Sequence, residues 1–163
     1  MDYNIKIIIL ALSVLLTGLT AGLCFTWSNA VTPGIARLDT YSFLKAFQSM
    51  NRVIINGKFI IVFFGPVFLL FLNAYLHKTD GLSFWLFSMA FILFFVGVGL
   101  VTVFGNVPLN NLLEQTNLDS IAKTELQELR IKFEQPWNYW HTIRTLCSFS
   151  SFILLILGLI PTK

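Results

Sequence analysis

The chain has 163 residues, enough for one domain spanning 1–163, and 56% of them are hydrophobic against 12% charged. A soluble domain carries about 25% charged residues, so several segments here must be kept from water, and lipid is the simplest place for them. The formal charge of +3 is small and its basic residues are scattered, which argues against a nucleic-acid partner.

Four apolar runs follow one another: Ile5–Trp27, Phe59–Leu76, Leu82–Phe104 and Tyr139–Ile160. Each approaches or exceeds the ~17–25 residues that cross a bilayer as a helix. The expected fold is therefore all-α, an integral membrane four-helix bundle with short amphipathic helices in connectors one and three. Lys6 ahead of the first run imitates a signal peptide. The run is longer than the usual apolar core of about 7–15 residues, however, and reads as a retained span.

In the first span, Gly18 and Gly22 form a GxxxG motif, and Ser13, Thr17, Thr20 and Cys24 mark one weakly polar face suited to helix packing. Cys24 and Cys147 form no CxxC pair and read as buried free thiols. Pro33-Gly34 is expected to end or kink the helix. Asp39 then caps an amphipathic helix from Thr40 to about Arg52, with Phe43, Leu44, Phe47 and Met50 on one side. Gly65-Pro66 predicts a kink in the second span, where Asn73 is expected to bond a neighbouring helix. His77 reads as a solvated loop residue in a short link that makes spans two and three a hairpin. Asn106, with Pro108 behind it, is the expected N-cap of a helix restarting after Gly105. Ser120–Glu134 reads as a separate amphipathic helix before the last span.

Basic residues in the short loops give the orientation. Arg37, Lys45, Arg52, Lys58, Lys123, Arg130 and Lys132 fall in connectors one and three, against Lys6, Lys78 and Lys163 on the other side. Connectors one and three are thus expected in the cytoplasm of a bacterium, with both termini outside its inner membrane.

That topology gathers four polar groups at one end: Asn29/Pro33/Arg37, Asn51/Arg52/Asn56, Asn106/Asn110/Asn111 and Trp137/His141/Arg144. Polar groups at membrane depth are costly and commonly mark a functional path. His141 and Arg144 stand one helical turn apart. A guanidinium there would favour the neutral imidazole that a general base needs, and could itself hold an oxyanion. The same residue types also anchor helices at interfaces, so spacing leaves both readings open. Metal ligands are poorly supplied, with no HxxH or HExxH; a haem with His141 as its axial ligand is a further alternative.

The pieces Gly18–Gly22, Pro33-Gly34-Ile35-Ala36-Arg37-Leu38, Met50-Asn51-Arg52 with Asn56, Gly105-Asn106-Val107-Pro108-Leu109-Asn110, and Trp137-Asn138 with His141-Thr142-Ile143-Arg144-Thr145 run in order along the chain. In these the chain resembles the anthrone oxygenase family of small four-helix membrane proteins. The resemblance implies oxidation of a phenolic or polycyclic aromatic substrate by O2 without a bound cofactor. His141 would be the base and Arg144 the oxyanion stabiliser, with Asn106, Asn110, Asn51, Arg52, Trp137 and Trp140 binding the substrate. The implied partners are membrane lipid and a hydrophobic small molecule, with homo-oligomerisation open. The competing classes are a non-enzymatic bundle that binds lipid or a partner, and a haem- or quinone-linked redox subunit.

Overall fold

A computed structural model of the chain describes residues 3–160, in which every regular element is helical; the expected role of Lys163 lies outside the described residues. The elements are α1 (Tyr3–Thr26), a π-helical turn (Trp27–Val31), α2 (Thr32–Ile35), α3 (Thr40–Ile54), α4 (Gly57–Leu76), α5 (Leu82–Phe94), two π-helical turns (Phe95–Leu100 and Thr102–Asn106), α6 (Val107–Gln115) and α7 (Lys123–Gly158). Joined end to end they give four segments long and apolar enough to span a membrane: Asn4–Ile35, Gly57–Leu76, Leu82–Gln115 and Lys123–Gly158. The helices α1, α4, α5 and α7 pack in a ring, each on the next, with α7 closing on α1. Phe68, Trp85, Phe104 and Leu146 point outward at 63–75% exposure. Side chains of that kind belong against lipid, so the molecule is an integral membrane four-helix bundle.

Local chemistry explains the element ends. The Asp39 carboxylate accepts from the Ser42 N–H at 3.1 Å and starts α3. Asn56 does the same for α4 through Phe59 N–H at 3.0 Å. Gly81 has φ 54°, a conformation that favours glycine, and this lets the chain turn from α4 into α5. In α4, Pro66 has no N–H for the carbonyl one turn back, on Val62. The Thr20 hydroxyl of α1 reaches that carbonyl at 2.7 Å, so the proline becomes a point of contact between helices. The weakly polar face of α1 is fully inside: Ser13, Thr17 and Thr20 are all buried.

The first helix runs past Trp27 through a π turn and ends at Ile35, just after Pro33-Gly34, as expected, while three other expectations are corrected. Pro33 is exposed, and Thr32 Oγ1 donates back to the Trp27 carbonyl at 3.2 Å. Asn106 caps nothing. Its backbone is helical, the third span runs unbroken through π turns into α6, and its side chain is spent on another helix. The Ser120–Glu134 helix and the last span are one helix, α7, passing through Pro136. The Glu125 carboxylate accepts from Ala122 N–H at 3.0 Å to start it. Lys132 and Pro136 both lie on its exposed face, where a stranded carbonyl is cheap. Finally, His77 is half-buried, with Nδ1 2.9 Å from the Asn73 carbonyl and its ring against Phe87.

The interior has two apolar cores. One fills the ring of spans around Phe63, Leu70, Phe87, Phe94, Val98 and Leu155. The other caps one end of it, where α3, α6 and the start of α7 bring together Phe43, Leu44, Phe47, Leu113, Phe133 and Trp137. Arg130 clips this cap to the first connector by donating to the carbonyls of Leu38 and Ala36 at 3.0 and 2.8 Å, and pairs with Glu134 at 2.7 Å.

Candidate functional site

His141 and Arg144 sit where the two cores meet. Both point inward from α7 and are buried, at 4% and 7% exposure. His141 Nε2 lies 3.1 Å from the Cys24 carbonyl, and Nδ1 lies 2.8 Å from an Arg144 Nη. These contacts assign the tautomer. A guanidinium only donates and a carbonyl only accepts, so Nδ1 carries the lone pair and Nε2 the proton. The imidazole is neutral, with its acceptor nitrogen turned to the arginine. Trp137 is stacked on its ring, centroids 4.9 Å apart.

Arg144 donates from its other Nη to Thr102 Oγ1 at 3.2 Å, while its Nε–H has no partner. Its guanidinium lies 5.4 Å from the Trp137 ring and 5.8 Å from that of Phe63, within range of a cation–π attraction. Among the described residues no carboxylate forms an ion pair with it. A buried cation held only by a neutral imidazole, a hydroxyl and two aromatic faces is under-compensated, and an anion placed there would be strongly held.

The other expected site residues divide. Asn106 is buried, donates to the Trp137 carbonyl at 3.1 Å and leaves its Oδ1 without a partner. Asn110 Oδ1 accepts from Trp137 Nε1 at 2.8 Å. The two amides therefore hold Trp137, and through it the face of His141. Trp140 packs instead on Gly105, where an added Cβ would stand 2.8 Å from the indole. Asn51 has a buried Nδ2 without a partner. Arg52 lies on the surface, paired with Glu114 at 2.7 Å. Asn29, Pro33, Arg37, Asn56 and Asn111 are exposed, so the expected four-group pocket shrinks to two of its groups. The first helix contributes differently, through the Cys24 carbonyl, through a Ser28 hydroxyl 3.0 Å from that of Thr145, and through Trp27 packed on Trp137. Cys24, Trp27 and Thr102 are the participants that spacing did not single out as a site. Thr102, a lone hydroxyl in an apolar run, was the available hint. The π turns at Trp27 and Thr102 flank the pair, as such turns commonly do at functional sites.

Beyond Trp27 a recess of about 290 Å³ opens between that residue and Ser49, Met50, Val53, Ile54 and Asn56. Among the described residues no three His, Cys, Asp or Glu side chains come together as metal ligands. A haem iron on His141 would need a ring nitrogen that is now engaged by Cys24 or Arg144.

Fold and site together define a small four-span helical membrane protein with a neutral histidine and an unpaired arginine buried between its spans. Residues 52–154 match the Anthrone oxygenase family, and the chain belongs to that family. The matched segment holds Asn106, Asn110, Trp137, Trp140, His141 and Arg144, and leaves out Cys24, Trp27 and Asn51. No curated protein and no solved structure matches the chain.

Proposed function

We propose that the protein is a membrane-embedded oxygenase that oxidises an acidic C–H centre of a phenolic or polycyclic aromatic substrate with O2, using no bound cofactor. The observation that carries this reading is the buried Arg144 without a counter-charge, hydrogen-bonded to the lone pair of a neutral His141. An enolate or phenolate oxygen is the partner that Arg144 lacks. As the guanidinium turns to that oxygen it releases His141 Nδ1, so substrate binding itself uncovers the base. The Cys24 carbonyl keeps the tautomer and stabilises the imidazolium that forms, because Nε2–H already points at it.

The steps balance as follows. One C–H proton passes to Nδ1, and its electron pair spreads onto the ring oxygen beside Arg144. That pair forms a C–O bond to O2, and the resulting peroxide takes the proton back from His141. Loss of the second C–H proton with departure of hydroxide gives a ketone and water, so one oxygen atom is kept and one is released. The substrate enters from lipid or by the recess beside Trp27, where aromatic faces favour a flat ring system. In this reading Asn106 and Asn110 act through Trp137.

The test is oxidation of an added anthrone, followed by O2 uptake and quinone absorbance, with purified protein in lipid. His141→Ala and Arg144→Ala, each checked for normal membrane insertion, are expected to lower the rate by roughly 100-fold or more, the scale of losing a general base or an oxyanion donor. Unchanged rates in both variants would reject the assignment. A Soret band in the purified protein would favour the haem-linked alternative instead.

A further inference from the structure

We propose that a file of internal water links the His141/Arg144 site to the membrane face at the opposite end of the bundle. Only the catalytic meaning of this path rests on the oxygenase reading; the path itself is argued from geometry.

On the near side aromatic rings cover His141, beside the buried and unpartnered Trp27 Nε1, Asn51 Nδ2 and Asn106 Oδ1. Trp137 lies on the His141 ring, and Phe47 and Phe133 pack on Trp137 with centroids 5.1 and 6.5 Å away. On the far side a strip of polar side chains runs beside the apolar core. Thr17, Thr20, Ser13 and Asn73 from α1 and α4, and Ser148 and Ser151 from α7, are each fully buried. A buried stripe of small polar residues is ordinarily packing, and most of these groups are satisfied within their own helices. Ser13, Thr102 and Thr145 donate to the carbonyl one turn back, and Thr20 donates to that of Val62.

Three buried atoms break that pattern. Thr17 Oγ1, Asn73 Oδ1 and Arg144 Nε have no partner, although an unsatisfied buried polar group costs about 1–3 kcal/mol. They lie at successive depths. Asn73 bonds to Ser13, Thr17 is one turn (about 6 Å) further along α1, and Cys24, which holds His141, is about 10 Å beyond Thr17 at 1.5 Å per residue. At about 2.8 Å per hydrogen bond the shorter gap takes about one water and the longer about three, and polar sites with several unsatisfied groups are where buried water resides.

At the far end, one turn below Asn73, His77 lines a cleft of about 550 Å³. Its titratable groups are Lys6 from α1, His77, and Asp80 from the α4–α5 turn, with Lys6 and Asp80 3.8 Å apart. The rest of the lining is Ile7 and Leu10 from α1, Ser83 and Phe87 from α5, and Gly158 with the two residues after α7, Leu159 and Ile160. Asn73 and Ser13 thus stand between an open cleft and the interior orphans. Water formed at His141 has a polar way out, while an aromatic substrate arrives by the aromatic side.

The path is tested by solid-state NMR of the full-length, histidine-15N-labelled protein in lipid bilayers without substrate, reading magnetisation transfer from water protons to each imidazole. Both His77 and His141 are expected to receive it. Thr17→Val, which keeps shape and removes the hydroxyl, should slow transfer to His141 severalfold. It should leave His77 unchanged, and Thr17→Ser should restore His141. Unaltered His141 shifts in T17V show that the fold is intact. Transfer to His77 but not to His141 in the unmodified protein would overturn the proposal, as would transfer undiminished in T17V. Since no substrate is present, either result leaves the anthrone oxidation test independent.

Discussion

Arg144 is the residue whose placement is hardest to justify by stability. It is buried, has one donor unpaired, and among the described residues forms no ion pair with a carboxylate. Replacing buried ionic groups by well-packed apolar side chains of similar volume is often neutral or stabilising, by up to about 1–4 kcal/mol. Against this stands one stranded acceptor, His141 Nδ1, at about 1–3 kcal/mol. Arg144→Met is therefore expected to raise the thermal midpoint in detergent, or leave it unchanged, while it removes anthrone oxidation. A clear drop in the midpoint together with retained activity would identify Arg144 as a structural anchor. Trp137 shows the opposite economy: every polar group it carries is met, its Nε1–H by Asn110 and its carbonyl by Asn106. It is built to hold still, which suits a plate against which the imidazole is fixed.

Between elements, prolines and polar side chains decide the contacts. Pro66 frees the Val62 carbonyl and Thr20 of α1 satisfies it. Thr20→Val should then destabilise the bundle by about 1–3 kcal/mol, the cost of a buried unpaired carbonyl. In a Pro66→Ala background the helix supplies its own N–H, so the same substitution should cost much less. Thermal unfolding of the two single variants and the double variant measures this coupling. Equal costs of Thr20→Val in both backgrounds would show that the contact is incidental. This pairing also explains what was legible and what was not. Gly65-Pro66 announces a local disturbance, but which helix answers it depends on packing. Pro136 carries the same sequence signal, and α7 runs through it as α4 runs through Pro66, but the carbonyl it frees, on exposed Lys132, is left to solvent rather than to another helix.

At the scale of the molecule, the elements of the cap are tied to one another by exposed and half-exposed polar clips. In one of them Asp119 accepts from Tyr41 Oη and pairs with Lys45 at 3.1 Å. The Tyr41 hydroxyl, and after it Lys45, hold the Asp119 carboxyl below its usual range. A lowered carboxylate value contributes stability above the unfolded value, near pH 4, that is lost as pH falls through the folded one. The clip should hold at roughly pH 7 and 5 and open only below the unfolded value, near pH 4. Hydrogen exchange of the turn around Asn117–Ser120 would read this, and protection lost already near pH 5 would contradict it. The effect is small, since the pair is solvent-exposed and screened by salt.

Length and hydropathy alone determined the four spans and their helical form, because lipid permits little else for a lone apolar segment. The sequence also brought His141 and Arg144 together, since a separation of three residues on any helix puts two side chains on one face. Asn106 and Asn110 were legible as polar residues, but not as the supports of Trp137. Tertiary structure alone decided that Arg52 faces solvent, that Cys24 offers a carbonyl to His141, and that Thr102 and Trp27 complete the surroundings. A backbone carbonyl is the same on every residue, and an unpaired donor is defined only by what its neighbours fail to supply. Both come into being when the helices close around them.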